Sequence, residues 1–125
     1  MLQSKNLEKP SPPIMGASWG RRGLMDRRKP DYDLAKIKDA FADPKALNRT
    51  FTAKQGADEL GMDDAAVVAV IQALKASDFD KSMTSKADHR VWQGVYRPRV
   101  KRRELYVKLT LDSQGDLLLI SFKEA

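Results

Sequence analysis

The chain has 125 residues, with 23 Lys+Arg against 17 Asp+Glu for a formal net charge of +6, and 42% of it is hydrophobic. That is the size and apolar content of one globular domain, too hydrophobic for wholesale disorder. With no cysteine and a single histidine, His89, the sequence excludes disulfide staples, thiolate metal sites, cysteine nucleophiles and paired-histidine zinc sites; no metal or other cofactor is expected.

Residues 1–24 hold Pro10, Pro12 and Pro13, scattered glycines and no apolar periodicity, and they read as a flexible N-terminal extension. They contain no continuous apolar core of the kind a secretory signal needs. Gly20-Arg21-Arg22-Gly23 is what a translated ribosome-binding site would encode, which makes Met25 a candidate start. The domain proper is expected over 25–125. Its longest strictly apolar run, Ala65 to Ile71, is far short of the roughly 20 residues that span a bilayer, so a cytoplasmic protein without membrane contact is expected.

Between Asp31 and Asp43 the spacing of Leu34, Ile37, Ala40 and Phe41 predicts a helix, with Asp31 or Asp33 as N-cap and Pro44 closing it. A weaker helix follows over Thr52 to Leu60, with Gly61 as its left-handed C-terminal cap. Asp63 or Asp64 opens a third through Leu74, with Ala66, Val67, Val70, Ile71 and Leu74 on one face. Asn48-Arg49-Thr50 matches a glycosylation sequon, discounted without a secretory route.

From Phe79 the apolar period changes to 2. Phe79 to Met83, Val91 to Tyr96, Glu104 to Leu111 and Leu117 to Phe122 read as strands. Helices first and strands afterwards predict an α+β fold, an antiparallel β-sheet with N-terminal helices packed on one face. In the last hairpin a four-residue loop would pair Leu109 with Leu118, Val107 with Ile120 and Leu105 with Phe122 on the core face. The other face would then gather Tyr106, Lys108 and Lys123 into an anion site, with Lys123 diagonal to Tyr106.

The charge is uneven. Arg90, Arg97, Arg99, Lys101, Arg102, Arg103 and Lys108 face only Glu104 within 90–108, interleaved with Trp92, Tyr96 and Tyr106. A basic strip with aromatic residues suits a polyanion that carries stackable bases; a solubilising surface has the same composition. Arg97, Arg99, Lys101, Arg102, Arg103 and Lys108 are the candidate contacts for such a nucleic acid. Arg102 and Arg103 suit an acidic protein surface equally well. Trp92 and Phe79 fit a core better than a stacking platform, and His89 fits a loop.

The run Ser77-Asp78-Phe79-Asp80-Lys81-Ser82-Met83-Thr84, then Asp88-His89, then Val91-Trp92-Gln93-Gly94-Val95-Tyr96-Arg97-Pro98-Arg99 resembles the MqsR toxins, messenger-RNA interferases of type II toxin–antitoxin systems. Leu105-Tyr106-Val107-Lys108, Ile120-Ser121-Phe122-Lys123-Glu124 and Ala57-Asp58-Glu59-Leu60-Gly61 continue the resemblance, which runs from about Met25 to the end. It implies a RelE-like fold and endoribonuclease action on messenger RNA with a preference for GCU sites. It also implies neutralisation by a zinc-containing, DNA-binding antitoxin like MqsA, with no direct DNA binding by the toxin itself. The family's catalytic set of lysine, glutamine, tyrosine and lysine carries over to Lys81, Gln93, Tyr106 and Lys123. Asp80 stands where the family usually has an aromatic residue and Gly94 where a polar one is common, departures that bear on sequence preference.

Cleavage without metal makes the ribose 2′-hydroxyl attack the adjacent phosphorus. It needs a base, a cation for the phosphorane and an acid for the departing 5′-oxygen. A lysine among other cations can have its pKa lowered far enough to serve as base, with Lys81 or Lys123 available, and the other lysine can stabilise charge. Tyr106 can donate a proton or orient the phosphate, and Gln93 can position the substrate by hydrogen bonds. Each also has an ordinary role: a solvated strand lysine (Lys81), an edge-strand amide (Gln93), a surface phenol (Tyr106), an edge gatekeeper (Lys123). A non-catalytic nucleic-acid-binding module, stacking bases on Tyr96 and Tyr106, or a protein-interaction domain is the alternative.

Overall fold

Each helix begins at a short polar side chain that accepts a hydrogen bond from the first turn. Asp33 accepts from the Ala35 amide (3.1 Å) to start α1 (Leu34–Ala40), and Thr50 from Ala53 (3.1 Å) to start α2 (Phe51–Glu59). Asp63 accepts from Ala66 (2.9 Å) to start α3 (Asp64–Gln72). The computed structural model describes residues 26–27, 29–85 and 90–125; the predicted extension over 1–24, Met25 and the Asp88-His89 pair lie outside them. Helix α1 is shorter than the spacing predicts. The chain leaves it at Phe41, ahead of Pro44, so Ile37 and Phe41 are buried while Ala40 is exposed. The carbonyls it leaves unpaired are met by Gln72 of α3, whose amide donates to Lys38 O (2.7 Å) and Phe41 O (3.3 Å).

Helix α2 ends as predicted. Gly61 sits at φ +72°, its amide donating to Asp58 O (3.0 Å) and that of Met62 to Ala57 O (2.9 Å), the paired bonds of a Schellman cap. The sequon residues all have structural work: Asn48 donates to Asp112 Oδ2 (3.0 Å) and Leu117 O (2.9 Å), Arg49 pairs with Asp64 (2.7 Å), and Thr50 caps α2.

The sheet is antiparallel and contains β1 (Asp26–Arg27), β2 (Phe79–Thr84), β3 (Trp92–Tyr96), β4 (Arg99–Val100), β5 (Arg103–Leu111) and β6 (Leu117–Glu124). Strands β1, β2, β3, β5 and β6 lie side by side in that order, and β4 pairs with β5 beyond the end of β3. The four predicted strands are present within a residue or two; β1 and β4, two residues each, are too short to show alternation. Strands β3 and β4 form one arm against β5. Tyr96 lies opposite Val107 and Arg99 opposite Glu104, and between them Leu105 donates to Pro98 O (2.8 Å). Pro98 has no N–H to return, which interrupts the ladder. The arm turns through Lys101 and Arg102, both at positive φ (50° and 73°), the hand a two-residue hairpin needs and one that glycine or asparagine normally supplies.

Helices α1–α3 cover one face of this sheet, giving the predicted α+β layers. Ile37, Phe41, Ala53, Ala57, Val67, Val70, Ile71 and Leu74 meet Tyr96, Leu105, Val107, Leu109, Leu119 and Phe122 in one buried cluster. Helix α2 lies directly on β6: a Cβ at Gly56 would clash with the Phe122 carbonyl oxygen, so only glycine admits this approach. Among the described residues no helix is long and apolar enough to cross a membrane.

The last hairpin departs from the expected pairing. Leu109 lies opposite Leu119, Val107 opposite Phe122 and Leu105 opposite Glu124. Two features move the register. The loop between the Leu111–Leu117 pair is one residue longer than predicted, because Asp112 Oδ1 accepts both the Gln114 (2.9 Å) and Asp116 (3.0 Å) amides, with Gly115 at φ +83°. Then the ladder shifts between Lys108 and Leu109, leaving Ile120 as an extra residue, so Leu119 and Ser121 fall on opposite faces.

Candidate active site

On a regular strand, residues two apart share a face. Phe79 and Lys81 do not, because β2 carries a bulge: Phe79 lies opposite Tyr96 and Lys81 opposite Val95, with Asp80 as the extra residue. Phe79 therefore packs edge-on against Tyr96 (centroids 5.4 Å apart) beside the core, while Lys81 is aimed at the helix-free face.

That face is built in rows across the strands. Lys81, Val95, Lys108 and Ser121 form one row, and Tyr106 lies directly opposite Lys123 in the next. Tyr106 is thus closer in register to Lys123 than the diagonal placement expected. Both neighbouring ammonium groups lie over its ring, Lys108 Nζ at 5.6 Å and Lys123 Nζ at 5.4 Å from the centroid. Val95 is fully buried yet stands outside the helix-side cluster, giving this face an apolar floor. Burial, and then the charge of Lys81, push the Lys108 ammonium below the ordinary lysine pKa. Gln93 lies opposite Met83, on the same face by alternation but about 13 Å along the strand from the Tyr106 row. Lys81, Tyr106 and Lys123 are therefore gathered around Lys108, and Gln93 stands at the far end.

The candidate RNA contacts divide. Arg97 and Arg99 are exposed on the Tyr106 face but engage acids there: Arg97 Nε bonds Glu104 Oε2 (2.5 Å) and its terminal nitrogen lies 3.9 Å from Asp80, while Arg99 reaches Glu104 Oε1 at 3.7 Å. The hydrogen bond and charge of Glu104 raise the Arg97 pKa further. Lys101 and Arg102 are exposed at the hairpin tip. Arg103, opposite Val100, alternates with Glu104 and so falls on the helix side of β5, apart from the other cations. Tyr96 is buried in the core (3% exposed) and is no stacking platform; Tyr106 alone of the two is on the open face. Trp92 is half-buried, its carbonyl accepting from Tyr32 (2.5 Å) and Thr110 (3.1 Å).

Sequence reasoning put Lys108 among the phosphate contacts and missed it as the centre of the face. The alternation of β5 already aligned it with Tyr106. The approach of Lys81 from two strands away depends on the Asp80 bulge, which has no signature in the pattern.

Residues 29–124 match the family described as motility quorum-sensing regulator, toxin of MqsA. Over 100 residues the chain is 41% identical to the mRNA interferase toxin MqsR of Escherichia coli (strain K12), spanning 80% of this chain and 99% of that protein. The match takes in all three helices and every strand that carries the open face. On that extent and identity, the chain belongs to the MqsR toxin family.

Proposed function

We propose that this chain is the toxin of a type II toxin–antitoxin pair and an endoribonuclease that cuts messenger RNA without a metal, with a GCU-like preference. One observation carries the reading: Lys81, Tyr106 and Lys123, three of the four residues that the family resemblance marks, converge on the helix-free face around a half-buried lysine. A strand-built site of this kind holds its side chains by ladder register rather than by a loop.

The attacking 2′-oxygen, the phosphorus and the leaving 5′-oxygen lie in line. Lys81 and Lys123 supply positive charge to the phosphorane oxygens, a contribution that can reach several kcal/mol in a preorganised site. Tyr106, between Lys108 and Lys123, donates the proton that the 5′-oxygen needs to depart. Gln93 holds the neighbouring nucleotide by hydrogen bonds at the far end of the face. The base must be an amine kept neutral by its surroundings. Arg97, Arg99, Lys101 and Arg102 hold successive phosphates, with Arg103 flanking them from the other side of β5; Lys108, which the sequence offers as one more phosphate contact, stands instead at the centre of the reacting face. An MqsA-like antitoxin, zinc-containing and DNA-binding, neutralises the toxin in the cytoplasm, so DNA contact belongs to the partner.

The test is a defined RNA with several GCU sites incubated with purified protein in excess EDTA, beside Lys81→Ala. Discrete cuts ending in 2′,3′-cyclic phosphates and missing with the variant are expected. RNA that stays intact but shifts on a gel identifies a binder, unless translating ribosomes restore the cuts.

A further inference from the structure

We propose that Lys108, which stands outside the four-residue set, is a further catalytic residue of this face: the general base that takes the proton of the attacking ribose 2′-hydroxyl. The proposal rests on the ribonuclease reading above and fills the one role that reading leaves open.

Position is the first argument. Lys108 shares its row with Lys81, Val95 and Ser121, and its Nζ lies 5.6 Å from the ring centre of Tyr106, whose other neighbour is Lys123. A phosphate held by Lys81, Tyr106 and Lys123 therefore brings its 2′-oxygen beside Lys108. Environment is the second. Val95, fully buried, flanks Lys108 across the ladder, and Lys108 is half-buried where Lys123 is exposed.

The charged groups around it set the balance. Lys81 faces it from β2, Arg97 lies just past the end of β3 and Lys123 comes from β6; Tyr106 and Glu104 share its own strand, and Asp80 marks the bulge in β2. The acids are turned to the arginines, Glu104 to Arg97 and Arg99, Asp80 to Arg97. Burial and Lys81 together favour the uncharged amine of Lys108, the form a base must have.

In the step, neutral Lys108 Nζ takes the 2′-hydroxyl proton as the 2′-oxygen bonds to phosphorus. The bond from phosphorus to the 5′-oxygen breaks, and Tyr106 protonates that oxygen. The products are a 2′,3′-cyclic phosphate and a 5′-hydroxyl; the lysine ammonium and the phenolate then exchange one proton through solvent.

The decisive variant is Lys108→Arg, which keeps a long hydrogen-bonding side chain at the position but cannot be neutral at working pH. Single-turnover cleavage in EDTA should fall by about 10²–10⁴, while affinity for an RNA with a 2′-deoxy nucleotide at the cut site stays unchanged. The chain has no cysteine, so Lys108→Cys can be alkylated with bromoethylamine at that position alone, restoring a slightly less basic amine. Cleavage should return with the acid limb of its pH–rate profile moved to lower pH. A Lys108→Arg variant that cuts at the wild-type rate, or an alkylated variant with an unmoved acid limb, overturns the assignment. Lys108→Met, which keeps most of the aliphatic stem, replaces any variant whose melting curve shows it unfolded, and must lose cleavage without losing affinity. If wild type itself cuts no RNA, with or without ribosomes, the ribonuclease reading falls and this assignment with it. If wild type cuts, Lys81→Ala does not and Lys108→Arg does, the assignment alone falls.

Discussion

Strand β5 has two sides with opposite demands. Toward the helices, Leu105, Val107 and Leu109 are fully buried in a cluster that leaves no latitude of size or polarity. Toward the open face, Glu104, Tyr106 and Lys108 are only half-buried, beside cations from β2, from β6 and from the segment between β3 and β4. The first side holds the sheet to the helices, whereas the second gathers like charges that repel one another. A single alternating strand thus carries the stability on one face and a destabilising, chemically useful cluster on the other. Substitutions on the two sides should therefore separate stability from activity.

The largest effects test that separation directly. Lys81→Ala and Tyr106→Phe should each lower RNA cleavage by about 10²–10⁴ while chemical denaturation moves by no more than about 0.5 kcal/mol; a large stability loss in either would break the contrast. On the other side, Leu109→Ala should cost about 2–5 kcal/mol in urea unfolding, with the remaining folded protein cutting normally. Gly56→Ala should destabilise by about 2–3 kcal/mol through overpacking on Phe122, against a helix-propensity gain of about 1 kcal/mol. At the hairpin tip, Lys101→Asn with Arg102→Gly should stabilise by roughly 1–2 kcal/mol, since asparagine and glycine tolerate the left-handed region better than lysine and arginine do. It should also reduce the salt slope of RNA binding by about 2. The smallest effect is a pH dependence. Because the fold lowers the Lys108 pKa, its ammonium opposes folding at neutral pH, and the opposition fades as pH rises toward the ordinary 10.5. Lys108→Met should therefore raise the melting temperature at pH 7, by an amount that vanishes near pH 10.5.

Much of the fold was legible because local chemistry and burial agree. Asp33, Asp63 and Gly61 act as caps where the pattern places helix ends, whereas Thr50, legible only as part of a sequon, caps α2 two residues ahead of the expected start; four strands follow the change of period from 3.6 to 2. What escaped was whatever depends on counting across strands. Asp80 and Ile120 are extra residues in their ladders, and a bulge leaves the polar–apolar alternation looking merely imperfect. The longer loop organised by Asp112 displaced the pairing of β6 for the same reason. Tyr96 was ambiguous because an aromatic residue beside arginines reads alike in a core and on a binding surface; its place opposite Val107 and Phe79 puts it in the core. Of the site, the residue types came from the family resemblance and the gathering of Tyr106, Lys108 and Lys123 from alternation. The convergence of Lys81 with them came from the bulge.

The contact between Gly56 and the Phe122 carbonyl has a mechanical side. Lys123 is the next residue along the backbone, so its anchor is clamped from beneath by a helix that belongs to the other layer. With no side chain between them, there is nothing compressible to absorb a shift: if α2 slides or tilts, that end of β6 moves with it. The inner side of α2 therefore rests directly on the backbone that carries a lysine of the open face, and any displacement of the helix is passed to the anchor of that amine.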